Sequence, residues 1–218
     1  SSFIAEVADV VVQTLELGNL CAGAAYHWGT SAGARLKELV QRENERLTGH
    51  RFLRGFVLPG GVHHDLADEA AEIDRVVGDV GERLQRLFDT IERNPSVVDR
   101  LDGTGVLTLK QARDLGVTGV AARASGVDRD ARRDHPHAGW TLPGSPLPEI
   151  TTKTAGDAHS RLKVRAAEGV DSVRLIRAFL ANLPAGPVRT ALPESLPAWQ
   201  VGLGVVESPR GASVTWLR

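Results

Sequence analysis

The sequence predicts a mainly α-helical protein with small β elements, an α+β arrangement in which long helices bundle around a core and a C-terminal β-hairpin is added. Three observations carry this expectation. From Leu66 to Ile91 the apolar residues Leu66, Ala70, Ile73, Val77, Val80, Leu84, Leu87 and Ile91 step by three or four, with Asp, Glu and Arg between them, the period of one buried helix face. Asp157 to Leu183 reads as a second long helix that carries Leu162, Val164, Val170, Val173, Ile176, Phe179, Leu180 and Leu183, and stops at Pro184 and Gly186. Trp199 to Val206 and Ala212 to Leu217 instead alternate around Ser208, Pro209, Arg210 and Gly211, as hairpin strands do.

The remaining elements follow from local signals. Phe3, Ile4, Val7, Val10, Val11 and Leu15 give residues 1–17 a broad apolar helical face, although their β-branched members lower intrinsic helicity. After the small-residue stretch Ala22 to Trp28, Ser31 is a candidate N-cap for a helix over Ala32 to Leu47 that ends at Thr48 and Gly49. Phe52, Phe56, Val57 and Leu58 read as a short extended run stopped by Pro59, Gly60 and Gly61. Asn94 and Pro95 stop the Leu66 helix, Thr108 caps a short helix through Asp114, and residues 123–148 read as a long charged loop. There is no internal repeat. With 218 residues, one core suffices and a single domain over 1–218 is expected.

Twenty-six basic against twenty-seven acidic side chains leave a formal charge of −1, so no global field attracts nucleic acid or an anionic membrane. No apolar run approaches the ~20 residues of a membrane span, and the N-terminus lacks a basic region followed by an apolar stretch. The expectation is therefore a cytoplasmic chain without a direct membrane span. It begins with serine and contains no methionine, which leads us to expect truncation at one or both ends. The one cysteine, Cys21, reads as a small buried apolar residue, because a thiolate metal site needs several such ligands.

Several polar groups invite a chemical reading. His63, His64 and Asp65 are metal-ligand types, yet in an extended segment neighbours point to opposite faces, and a solvated loop is expected. Asp128, Asp130, Asp134, His135 and His137 alternate with Arg123, Arg129, Arg132 and Arg133; the expectation is mutual salt bridging, and the sharper alternative is an interface that orients a partner. Glu168 and Asp171 share a helix face, a paired-carboxylate acid/base in principle, but pairing with Arg165 and Arg174 is the plainer reading. Two glycines in Pro59 to Val62 make no phosphate cradle, and no nucleotide motif occurs.

Four segments in order carry a resemblance: RLTGHRFLRGFVLPGGV (residues 46–62), GVTGVAARASGVDRDARRDHP (116–136), GDAHSRLKVRAAEGVDSVRLIRAFLANLPAGP (156–187) and ESPRG (207–211). Together they resemble the large subunit shared by NiFe hydrogenases and respiratory complex I, and most of all that of the energy-converting, formate hydrogenlyase-type hydrogenases. The resemblance covers most of residues 18–218 and implies a hydrogenase large-subunit-like fold. It departs from the hydrogen-converting members in having neither of their two Cys-x-x-Cys pairs, whose soft thiolates hold nickel and iron. Gly23 also stands where a carboxylate is common, and a stretch with a His and an Asp has no counterpart between Leu17 and Gly18.

By resemblance, the Arg210 guanidinium points into the active-site cavity, where a fixed cation stabilises developing charge; the plainer reading is a surface arginine paired with Glu207. Ligand-binding candidates are Arg210, Pro209, Glu207, Arg123 and Ser125, with no metal ligand and no confident catalytic residue. The implied role is a subunit of a hydrogenase- or NADH:quinone-oxidoreductase-like electron-transfer complex, without its own NiFe centre in these residues and not catalytic alone. It would work beside an iron–sulfur subunit that carries the clusters, peripheral on the inner face of a membrane, with quinone as candidate ligand. NAD would enter at the level of the complex. The alternatives are a non-catalytic scaffold or assembly relative, and a soluble enzyme that uses the Arg210 turn and the 123–137 loop as an unrelated cleft.

Overall fold

α1 spans Ser2–Gly23 and α2 spans His27–Thr48, and the two cross where neither carries a side chain. A Cβ on Gly33 would lie 2.8 Å from the Gly18 Cα and 2.8 Å from the Thr14 carbonyl oxygen, well inside ordinary contact distance. This close approach also explains two departures from expectation. α1 runs six residues beyond Leu17 because its small-residue end packs on α2, and α2 starts at His27 behind Tyr26 rather than at Ala32 behind Ser31. Ser31 lies exposed inside the helix.

α3 spans Ala70–Glu92 after a 3-10 turn at Ala67–Glu69, and α4 spans Pro95–Leu101. Pro95 ends one helix and opens the next, because the first helical position has no intrahelical partner for the N–H that proline lacks. α5, Leu109–Asp114, carries the expected Thr108 cap, with Gln111 completing a reciprocal capping box. α6, Gly119–Ala124, reaches two residues into the stretch expected as loop, and α7, Ala131–Asp134, with a 3-10 turn at Ala138–Thr141, breaks it up. α8 spans Ala158–Ala181 and is capped by Asp157, whose carboxylate accepts hydrogen bonds from Ser160 N (2.7 Å) and Gly103 N (2.9 Å).

The sheets are small, as expected. β1 (Val57–Leu58) and β2 (Gly61–Val62) pair antiparallel, and β3 (Gly202–Ser208) pairs with β4 (Gly211–Leu217) from Gly202 opposite Leu217 to Ser208 opposite Gly211. This computed structural model describes residues 2–183, 185–195, 198–208 and 211–218. Among them, no helix is long and apolar enough to cross a membrane.

α1 packs between α2 and α8, and α3 closes against both α8 and α2, so the four long helices form the expected bundle. Its core has two parts. One gathers Leu17, Cys21, Leu84, Leu87, Ile91, Leu101 and Leu162; the other gathers Val10, Val40, Phe56, Ile73, Val80 and Ile176. Cys21 lies in the first, where burial pushes its thiol up to about 11, as its reading as a small apolar residue requires. Each fully buried Leu or Ile contributes roughly 1.5–3 kcal/mol relative to exposure.

Leu84, fully buried at the α3–α8 contact, is expected to cost about 2–5 kcal/mol when changed to alanine. The exposed Leu115 is expected to change stability by less than about 0.5 kcal/mol under the same substitution. Urea unfolding of both variants checks the pair.

Candidate functional site

The short helix α6 carries one arginine into the interior. Arg123, with 5% of its side chain exposed, reaches two elements distant in sequence and one nearby carbonyl. Its Nε donates to Glu168 Oε1 on α8 (2.5 Å), and its Nη1 donates to Glu207 Oε2 on β3 (2.7 Å) and to the Arg129 carbonyl (2.8 Å). Glu207 accepts with its other oxygen from Ala131 N (3.1 Å) at the start of α7. Burial works against the Arg123 charge, but Glu168 and Glu207 outweigh it and hold the guanidinium protonated.

A second arginine ties α7 to α1. Arg132 Nη1 donates to both oxygens of Glu6 (3.0 Å each), while its Nε and Nη2 grip Asp130 at 3.0 and 2.7 Å. Despite burial, Asp130 stays below the usual carboxylate range because Arg132 binds it on two sides and Arg123 lies near. Glu6 goes the other way: desolvation, only partly offset by Arg132, raises it to about 6.

The network continues through amides and hydroxyls. Gln13 Nε2 donates to Glu168 Oε2 (2.9 Å) and more weakly to Asp9 Oδ1 (3.4 Å), and its Oε1 accepts from Arg165 Nη1 (3.2 Å). Ser172 Oγ donates to Asp9 Oδ2 (2.9 Å). Glu6, Asp9, Gln13, Arg123, Asp130, Arg132, Glu168 and Glu207 form the polar wall of a cavity of about 370 Å³, whose other wall is Val12, Val120, Val205 and Trp140; Arg165 and Ser172 stand behind it. Trp140 is fixed edge-on against Phe179, with ring centroids 5.1 Å apart.

Among the residues singled out from sequence, Arg123, Asp130, Arg132, His137, Glu168 and Glu207 meet here. Ser125 does not line the cavity; it is buried one residue past α6, where its hydroxyl donates to the Ala121 carbonyl (2.9 Å). Pro209 and Arg210 lie outside the described residues. The described partners of Glu207 are Arg123 and Ala131 N.

Two sequence readings need correction. Glu168 is not paired along its own helix face; it is buried against Arg123, whereas Asp171 does pair with Arg174 (2.7 Å). His63 and His64 do not diverge either, since their Nδ1 atoms stand 3.3 Å apart and the His64 ring meets Phe56 edge-on. The charged stretch does show the expected mutual salt bridging, with Arg133 on Asp128 and Asp134 at the surface and Arg123, Asp130 and Arg132 turned inward.

Glu6, Asp9 and Gln13 were missed because residues 1–17 read as an apolar face. Their spacing of three and four was the available signal, since it places them along one side of a helix.

A model of the respiratory-chain NADH dehydrogenase 49 kDa subunit matches residues 28–210. The chain belongs to that family. Within the 49 kDa subunit family it is 33% identical to formate hydrogenlyase subunit 5 of Escherichia coli K12 over 217 residues, 99% of this chain and 37% of that protein. It is 32% identical to NADH-quinone oxidoreductase subunit 4 of Thermus thermophilus over 164 residues, 75% of this chain and 39% of that one. The chain thus spans under two-fifths of the length of these relatives. Among solved structures, a chain of an archaeal membrane-bound sulfane sulfur reductase superposes with a TM-score of 0.86 at 26% identity, covering 99% of this chain and 59% of its own. The mainly helical fold with small strand pairs is that of the family.

The thiolate set that hydrogen-converting members use does not fit this chain. Cys21 is its one sulfur ligand, and it sits in the helix core rather than on the cavity wall. Among the described residues no group of three or more His, Cys, Asp or Glu is arranged to hold a metal ion.

Glu6 binds its proton more tightly in the folded than in the unfolded chain. Its contribution to stability is therefore fully present below about pH 4.5 and is lost as pH rises through about 6, a change of about 2 kcal/mol. Glu6→Gln is expected to remove that component, and urea unfolding of both proteins across this pH window would show it; equal pH slopes would contradict the assignment.

Proposed function

We propose that this chain serves as a subunit of a membrane-associated electron-transfer complex, working beside an iron–sulfur partner and holding no nickel–iron centre of its own. In this reading the cavity between α1, α6, α7 and β3 takes a small redox-active ligand of the quinone class. Membership in the 49 kDa subunit family supports the first part. The observation that carries the second is the composition of the cavity, with Val12, Val120, Val205 and Trp140 facing Arg123, Arg132 and their carboxylates.

A planar ring that bears carbonyl oxygens suits such a space, because apolar walls bury the ring while a few fixed polar groups orient it. What this chain contributes is placement. Arg123 and Arg132 are locked by carboxylates on α1, α8 and β3, so their positive charge is held in position before any ligand arrives. Electrons would come from the iron–sulfur partner.

The presence of a single, buried cysteine also favours a second reading, a scaffold or assembly relative that has kept the fold without the redox ligand. A ligand that binds only the folded protein raises its melting temperature, so short-chain quinones separate the two readings.

The redox reading predicts stabilisation by a soluble quinone that weakens in Val120→Trp, where the cavity is filled, together with co-purification of an iron–sulfur protein from the native cells. Absence of both outcomes would leave the scaffold. Stoichiometric nickel in protein from those cells would overturn the proposal of a chain without its own metal centre.

A further inference from the structure

Five carboxyl groups line the cavity, Glu6, Asp9, Asp130, Glu168 and Glu207, against the two guanidinium groups of Arg123 and Arg132; His137 is the remaining titratable group of the lining. Charge balance therefore fails by a wide margin if every acid is ionised. Four of the five have a guanidinium partner: Glu6 and Asp130 on Arg132, Glu168 and Glu207 on Arg123. Asp9 differs. Among the described residues its oxygens meet neutral groups alone, the Gln13 amide at 3.4 Å and the Ser172 hydroxyl at 2.9 Å.

Asp9 is half-buried on the cavity wall, and a carboxylate drawn out of water without a cation to compensate it takes up a proton instead. We propose that Asp9 stands as a neutral carboxylic acid at neutral pH and is the proton carrier of the cavity wall. The hydrogen-bond geometry accommodates that form. Oδ1 accepts from Gln13, and the protonated Oδ2 turns the Ser172 bond round and donates to the hydroxyl.

The groups packed around Asp9 act in both directions. Glu6 and Asp130 share Arg132, Glu168 and Glu207 share Arg123, so the four acids leave net negative charge near Asp9 when ionised, and Arg165 is drawn toward Glu16 (3.9 Å). Desolvation raises Asp9 above the usual carboxylate range, against the pull of Arg132, of the hydrogen bonds from Ser172 and Gln13 and, more weakly, of Arg123. When a reduced, anionic ligand in the cavity accepts the Asp9 proton, the O–H bond of the acid breaks, the ligand gains one proton, and the aspartate left behind is reprotonated from solvent.

The use of that proton rests on the redox-ligand reading above, but the protonation itself does not, and the test needs no ligand. Infrared difference spectra of the intact chain in H2O and D2O at neutral pH are expected to show a protonated-carboxyl stretch that shifts on deuteration. Asp9→Asn should abolish one such band, while Glu6→Gln and Glu168→Gln should leave it. Absence of the band in the wild type, or its loss in Glu168→Gln but not in Asp9→Asn, overturns the proposal. Should Asp9→Asn fail to fold, the 13C shift of the Asp9 carboxyl in the wild type decides instead: a value that stays in the acid range across neutral pH supports the assignment, and a carboxylate value refutes it.

Discussion

Arg123 is the constraint on which the arrangement of the site depends. A six-residue helix cannot hold itself in place, and a two-stranded hairpin is marginal by itself. Both become fixed because one buried guanidinium binds α8 through Glu168, β3 through Glu207 and the start of the α7 segment through the Arg129 carbonyl. Taking such charges out of water is expensive, and removing one partner of a buried pair costs about 3–5 kcal/mol. The network therefore specifies where the pieces sit more than it adds to net stability.

The long-helix bundle supplies the platform for this hub. Gly18 and Gly33 bring α1 and α2 together, and Gly169 does the same for α8, since a Cβ there would lie 2.6 Å from Leu84 Cδ2. Close packing sets α1 and α8 side by side, so that Glu6, Asp9 and Gln13 from one face Glu168 and Ser172 from the other. The same packing leaves the far ends of β3 and β4 uncovered, with Leu203 and Trp216 both exposed.

What could be read from sequence follows the same division. α3 and the β3–β4 hairpin were visible because their apolar residues keep a period over many positions, and α8 because its apolar residues run on to the stop at Pro184 and Gly186. The helix start at His27 was not, because Gly29 and Gly33 act through contact with α1 and leave no capping signal. Residues 123–148 look like a loop because charge and proline obscure helices of four to six residues. Of the site, Arg123 and Glu207 came from motif resemblance. Their pairing across 84 positions has no local signature, and neither does the inward turn of Glu168. The acids of α1 were hidden among β-branched residues that suggested an apolar face.

Amide hydrogen exchange of Arg123→Met measures the hub most directly. The account predicts that protection is lost across β3–β4 and residues 128–134 while α1, α2 and α3 keep the wild-type pattern. Wild-type protection of the hairpin in that variant would show that something other than Arg123 holds it in place, and would contradict the account.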